Sequence, residues 1–147
     1  MPRRSKLSPD VQVRLQGTDG LRRDVLPQVE FPGRTPQQVF LNHGVITEEF
    51  LERYAFAHVS LLMQRGLAEP GAAFVVGWDP RDPEGLFTEA VVRGVLKTGA
   101  NAWVAGRIPT PGVAMYMLAH KAAGGFMVTA SHNPREQNGV KIFLAYR

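Results

Sequence analysis

From Thr47 onward the apolar residues alternate between two rhythms, one helical and one strand-like. Phe50, Leu51, Tyr54, His58, Leu61 and Leu62 recur at helical spacing, which predicts a helix capped by the Thr47 hydroxyl and stopped at Gly66. Residues 72–78 (AAFVVGW) form a short continuous apolar run, the pattern of a strand covered on both faces, and the run ends at Asp79-Pro80. A second helix is expected over residues 86–98, with Phe87, Ala90, Val91 and Val95 on one side and Gly99 closing it. Residues 101–106 (NAWVAG) read as a second strand. Thr110-Pro111 then predicts a helix start, with a capping hydroxyl followed by proline at the first helical position, and the helix runs to about Ala122 before Gly124-Gly125. Residues 126–129 (FMVT) are the third strand.

Strand, helix, strand, helix, strand with short loops implies crossover connections and a mostly parallel, mixed sheet held between helices, a three-layer α/β/α architecture. Parallel strands send their following loops to one edge of the sheet, where such folds bind ligands. Three polar loops, at residues 79–81, 107–110 and 131–133, are therefore expected to converge. Upstream, Val11 to Leu15 alternates like a strand and leads into Gly17-Thr18-Asp19-Gly20. Residues 24–45 carry three prolines and two glycines with no clear period and read as an irregular surface excursion.

Candidate chemistry gathers in TASHNPREQNGVKIF, residues 129–143. Ser131 directly follows an apolar strand, so its hydroxyl belongs at the carboxyl edge of the sheet, either as a nucleophile or as a plain loop cap. Asn133-Pro134 favours turn initiation and Asn138-Gly139 is a tight-turn signal, so the chain folds back into a strand at residues 140–143 that returns Lys141 towards Ser131. A lysine there could hold a phosphate as a point charge or handle a proton, or it could be an ordinary exposed strand lysine. His132 suits a loop-shaping role better than proton transfer. Glycine-bracketed Thr18-Asp19 could present backbone amides to an anion, with Arg22 pairing a phosphate, although GTDG is also common as a plain turn.

Composition narrows the options. The 147 residues are 44% hydrophobic and 20% charged, which suits one globular domain with a packed core. Seventeen basic against thirteen acidic side chains give +4, a mild excess that favours an anionic ligand such as a phosphorylated metabolite. No basic helix face or aromatic-interleaved basic strand points to nucleic acid, and no run approaches membrane-spanning length. Cysteine is absent, which excludes disulfides and thiol nucleophiles, and a cytoplasmic setting is expected. His43, His58 and His120 lack metal-ligand spacing, and His58 reads as a satisfied, half-buried histidine.

Four motifs in order, GTDGLR, VGWDPR, GRIPTP and TASHNPREQNGVKIF, resemble those of the α-D-phosphohexomutases, the family of phosphoglucomutase, phosphomannomutase and phosphoglucosamine mutase. The resemblance runs from about Val11 to the chain end and implies that residues 11–147 are the family's first, phosphoserine-bearing domain, preceded by a basic tail at residues 1–10. It further implies that Ser131 carries a phosphoryl group exchanged with a hexose monophosphate through a hexose 1,6-bisphosphate. Arg22 and Lys141 would flank it, His132 and Asn133 would shape the loop, and Asp79 and Arg81 would support it. One Mg2+ would bind a phosphoryl oxygen on Ser131, its other ligands coming from a second domain. Glucose and mannose phosphates are the first expectation for substrate, with glucosamine phosphate close behind.

Departures from the family pattern are Gln16 before GTDG, Arg23 after the arginine, and Asp82-Pro83-Glu84-Gly85 in place of serines after the DPR-like motif. The connection over residues 24–45 also looks longer than usual. The family's magnesium, sugar-reading and phosphate-clamp domains have no counterpart, so this chain resembles the first domain of a longer protein and alone is expected to be inactive. The alternative is a non-catalytic module of the same fold that binds phosphosugars or a protein partner.

Overall fold

The computed structural model describes residues 20–131 and 133–145. Among these residues six strands form one sheet: β1 Gly20–Val25, β2 Val45–Ile46, β3 Ala73–Trp78, β4 Asn101–Arg107, β5 Gly124–Val128 and β6 Gln137–Leu144. Four helices pack on it: α1 Pro36–His43, α2 Glu48–Gln64, α3 Leu86–Leu96 and α4 Thr110–His120. Strand order is β2-β1-β6-β5-β3-β4. The expected strands β3, β4 and β5 are mutually parallel, and β6 runs antiparallel between β5 and β1. The three-layer, mostly parallel reading of the fold is therefore correct.

The two faces are covered unequally. One carries α1, α2 and α3 over a core of Leu21, Phe40, Ile46, Leu51, Val59, Phe74, Val76, Val91, Phe126, Val128 and Val140. The other carries α4 alone, through Val113 and Met117 against Val75 and Met127. Helix α4 rests mainly on β3 and β5, and among the described residues no helix covers the β1–β6 half of that face.

Residues 24–45 are not irregular. They complete β1 and form a 3-10 turn at Gln28–Glu30, then α1 and β2. Helix α1 has a full capping box: the Thr35 hydroxyl accepts from Gln38 N–H at 3.2 Å, and the Gln38 side chain accepts from Thr35 N–H at 2.9 Å. Pro36 fills the first turn and Gly44, at φ 65°, closes the helix. The start and stop signals were therefore in the sequence, but eight residues burying only Pro36, Val39 and Phe40 are too few to show a period. Arg23, one of the departures, places its guanidinium 5.6 Å from the Phe40 ring centroid, tying β1 to this helix.

Helix α2 begins as expected, with the Thr47 hydroxyl accepting from Phe50 N–H. Its buried stripe is rotated, however, to Leu51, Ala55, Val59 and Leu62, and Leu61 is exposed. The reason is close approach of α3: a Cβ on Gly94 would lie 2.3 Å from the Glu52 carbonyl oxygen and 2.9 Å from Ala55 Cβ. Only small residues permit that crossing. Glu52 reaches over it to Arg93 and Lys97, both at 3.1 Å. Partial burial pushes the Glu52 carboxyl up, but the two cations outweigh it and the net direction is down.

Helix α4 also differs from expectation. Its N-cap is Pro109, with no capping hydroxyl, and the helix stops at His120 with Lys121 left-handed. Gly124-Gly125 are the first residues of β5 and not a helix stop, because a Cβ on Gly125 would meet Met117 Sδ at 2.7 Å. Helix α3 starts on Gly85, which offers no side-chain cap. Asp82 substitutes, its buried carboxylate accepting from Thr88 N–H and Thr88 Oγ1, both at 2.7 Å. The departure at residues 82–85 thus has a structural role.

Two expected outcomes follow from this packing. Asp82→Ala leaves a helix N–H and a buried hydroxyl without an acceptor and should lower unfolding stability by about 1–3 kcal/mol, read from urea midpoints. His58 is half-buried, edge-on to Phe126 at 5.7 Å, and its Nε2 has no hydrogen-bond partner, so the expected satisfied histidine is in fact unsatisfied. Burial lowers its pKa from the ordinary 6.5, which favours the neutral ring in the folded state. Its contribution is therefore full above about pH 6.5 and lost as pH falls through that value towards the folded pKa. His58→Leu should flatten the acid limb of stability against pH.

Candidate functional site

The loops after β3 and β5 meet at the carboxyl edge of the sheet. Strand β5 ends at Val128, and Thr129 stays in register by donating its N–H to Gly139 O at 3.0 Å. Two residues later Ser131 is half-buried and left-handed, at φ 54°. Such a conformation disfavours any residue with a Cβ by about 1–2 kcal/mol, so surrounding contacts must hold it.

Those contacts come largely from Asp79 and Arg81. The Arg81 guanidinium donates to three carbonyls: Ser131 O at 2.5 Å, Pro134 O at 2.8 Å and Gln137 O at 3.3 Å. Asp79 Oδ1 accepts from Arg81 N–H at 2.9 Å, and Oδ2 lies 3.4 Å from Arg81 Nε. Oδ2 also accepts the Thr129 hydroxyl at 2.5 Å, and Thr129 Oγ1 accepts Ser131 N–H at 3.0 Å. Asn133 closes the outer turn, its N–H bonding Ala130 O and its side chain donating to Gln137 Oε1 at 2.9 Å.

Register places Arg22 and Lys141. Lys141 lies opposite Gly20 on β1 and Met127 on β5, and Arg22 lies opposite Gly139. Lys141 and Arg22 therefore share the α4 face of the sheet with Met127, which lies under that helix, and sit on the half beside it. Arg22 is level with Thr129, and Lys141 is one strand repeat deeper, ~6–7 Å further from the edge. Gly139, buried and without a side chain, lies between Arg22 and Thr129. Both cations are half-buried and both have further polar partners.

Asn138-Gly139 does not form the expected turn. Both lie inside β6, and the chain reverses earlier, where Gln137 N–H bonds Pro134 O. The physical reason is the packing of β1: a Cβ on Gly139 would sit 1.8 Å from Leu21 O, so this glycine serves close approach of two strands. Asn138, on the opposite face, is 1% exposed, and its amide nitrogen has no hydrogen-bond partner.

Of the residues singled out from sequence, Ser131, Asn133, Asp79, Arg81, Arg22 and Lys141 gather around one edge. Thr18, Asp19, His132 and the strand expected at Val11 to Leu15 lie outside the described residues. The third loop opens on the same edge as expected, on the far side of β3 from the serine loop. After β4, Ile108 N–H bonds Trp78 O, and Arg107 lines a separate groove of about 620 Å³ with Trp78, Glu84, Glu89 and Arg93. Thr129 was missed, although a hydroxyl two residues before an amide is a recognised turn signal. Among the described residues no three His, Asp or Glu side chains gather as a metal site, and no helix is long and apolar enough to cross a membrane.

The domain is thus an α/β/α sheet with a pinned serine at its carboxyl edge and an arginine and a lysine on the sheet face that leads to it. The chain belongs to the phosphoglucomutase/phosphomannomutase family, as its alpha/beta/alpha domain I, whose family model matches residues 13–146. It is 34% identical over 127 residues to the phosphoglucosamine mutase of Francisella tularensis subsp. novicida, covering 86% of this chain and 24% of that protein. With the phosphoglucosamine mutase of Chlamydia trachomatis serovar L2 the identity is 35% over 129 residues, covering 88% and 24%. The crystal structure of a provisionally named phosphomannomutase from Thermus thermophilus superposes with a TM-score of 0.64 at 29% identity, covering 87% of this chain and 25% of that one. The chain thus spans about a quarter of the length of these relatives.

Gly139→Ala should separate β1 from β6 and remove Arg22 from the site. The expected result is loss of the cooperative thermal transition, or a stability loss above about 3 kcal/mol, read by circular dichroism.

Proposed function

We propose that this domain supplies the phosphoserine of a phosphohexomutase that interconverts hexose 1-phosphate and hexose 6-phosphate. The observation that carries the proposal is the pinned, left-handed Ser131 at an open edge, with Arg22 and Lys141 on the sheet face that leads up to it. In the forward step the bond between Ser131 Oγ and phosphorus breaks while a sugar hydroxyl oxygen bonds to that phosphorus. The hydroxyl proton leaves to a base, and Oγ takes up a proton. The bisphosphorylated sugar then turns over, and its other phosphoryl group returns to Oγ by the reverse step. Lys141 and Arg22 balance the charge on the transferring oxygens, and the Arg81 clamp keeps Oγ aligned with the attacking oxygen.

The acceptor chemistry of this domain fits a magnesium ion only through a phosphoryl oxygen on Ser131, since its described residues form no cradle of their own. Such an ion would supply charge neutralisation at that phosphoryl group, its other ligands coming from elsewhere in the protein. His132, Asn133, Thr18 and Asp19 are proposed to shape the phosphate surroundings. Glucose, mannose and glucosamine phosphates are the candidate substrates, and the relatives named phosphoglucosamine mutase support the last of these. By itself the 147-residue chain should show no turnover, because sugar binding and most metal ligands would lie in further domains of a cytoplasmic enzyme.

The test is Ser131→Ala in a mutase of the relatives' full length that carries this domain. Turnover should fall by about 10^4-fold or more, as expected when a covalent nucleophile is removed. In parallel, intact-mass analysis after exposure to a hexose 1,6-bisphosphate should show one added phosphoryl group mapped to Ser131. Retention of normal turnover by the alanine variant overturns the reading.

A further inference from the structure

The proposed phosphoryl carrier sits in a closed ring of polar contacts whose least obvious member is Thr129. Ser131 and Lys121 are the non-glycine residues with positive φ among those described. Lys121 simply terminates α4, whereas Ser131 lies where the chemistry is proposed to occur. The ring runs from Ser131 N–H to Thr129 Oγ1, from the Thr129 hydroxyl to Asp79 Oδ2, from Asp79 to Arg81, and from Arg81 back to Ser131 O. The peptide groups on both sides of the serine are therefore fixed, and the side chain between them has its base set before any ligand arrives.

Thr129 determines the direction of this ring. Its one hydroxyl proton is committed to the Asp79 carboxylate, so a lone pair is left facing the Ser131 amide. The residue is 3% exposed, its N–H is anchored in the β5–β6 ladder, and its β-branch stiffens χ1. No solvent exchange or easy rotation competes with the arrangement.

We infer that Thr129 is a positioning residue, which holds Ser131 in its left-handed conformation and so aims Oγ for phosphoryl transfer; the inference rests on Ser131 being the phosphoryl carrier. Without the Thr129 hydroxyl the Ser131 amide loses its acceptor and Asp79 Oδ2 loses a donor. The serine backbone is then free to relax to negative φ, which swings Oγ away from the line of attack. A displacement of about 1 Å at a reacting atom lowers a rate by on the order of 10^2.

The variants are Thr129→Val, which keeps shape and removes the hydroxyl, and Thr129→Ser, which keeps the hydroxyl. In the mutase that carries this domain, Thr129→Val should lower kcat by about 10- to 100-fold with KM unchanged, and Thr129→Ser should restore most of it. In the 147-residue chain, Thr129→Val should speed hydrogen exchange at the Ser131 amide and shift its HN–Hα coupling, and Thr129→Ser should do neither. If Thr129→Val does not fold, Arg81→Lys opens the same ring from its other side and should give the same kcat-only loss.

An unchanged kcat in these variants, while Ser131→Ala is inactive, overturns the positioning inference and leaves the phosphoserine reading standing. A rise in KM with kcat unchanged, or failure of Thr129→Ser to rescue, also overturns it. Normal turnover in Ser131→Ala overturns the phosphoserine reading instead.

Discussion

The antiparallel insertion of β6 between β1 and β5 is the constraint on which the rest depends. Three parallel strands and their crossover helices would make a sheet edge with one serine loop and its Arg81 clamp, but with neither Arg22 nor Lys141. Strand β6 returns from that loop straight down the sheet, carrying Lys141, and its other side pairs with β1, which brings Arg22 from more than a hundred residues away in sequence. The pairing is possible because Gly139 has no side chain where Leu21 O passes. Moving β6 by one residue would send Lys141 into the core under α2 and α3 and Val140 to the open face.

Unequal covering of the two faces explains where charge can sit. Three helices seal one side, so the residues that β1 and β6 direct there are apolar, as with Leu21 and Val140, or need special partners. Arg23 stacks on Phe40, and Asn138 leaves an amide nitrogen unpaired. On the other side α4 lies mainly over β3 and β5, and Arg22 and Lys141 keep partial access to water. A domain with two full helical layers would have to desolvate both cations. Among the described residues no helix covers that half of the face, so neither cation is fully desolvated there.

Support of the serine loop is divided between a rigid element and a local turn. Asp79 and Arg81 leave the end of β3, buried on both faces, so their positions are as fixed as the core. From there one guanidinium spans three carbonyls across the loop, a task suited to a planar fork of donors and not to an ammonium. Asp82, the next residue but two after Asp79, turns the other way and caps α3. The family motif and this chain's own departure from it thus serve adjacent but separate purposes.

Much of this was legible in the residues alone. Apolar runs and helical spacing marked β3, α3, β4, α4 and the end of β5, although β4 buries none of its residues and α4 only Val113 and Met117. Ser131 at the end of an apolar strand, with asparagine and proline turn signals after it, placed the loop at the carboxyl edge of the sheet. The pattern was silent where elements are short or half-open. Helix α1 has clear end signals but too little buried surface, and β1 carries two arginines on a partly uncovered ribbon. What only the tertiary structure decided was pairing across distance: that Asn138-Gly139 is strand and not turn, that α2 is rotated onto Gly94, and that Thr129 joins Asp79 and Arg81 around Ser131. Local sequence sets propensity and periodicity, but these outcomes depend on which backbone lies a few ångströms away, and that neighbour is chosen by the whole fold.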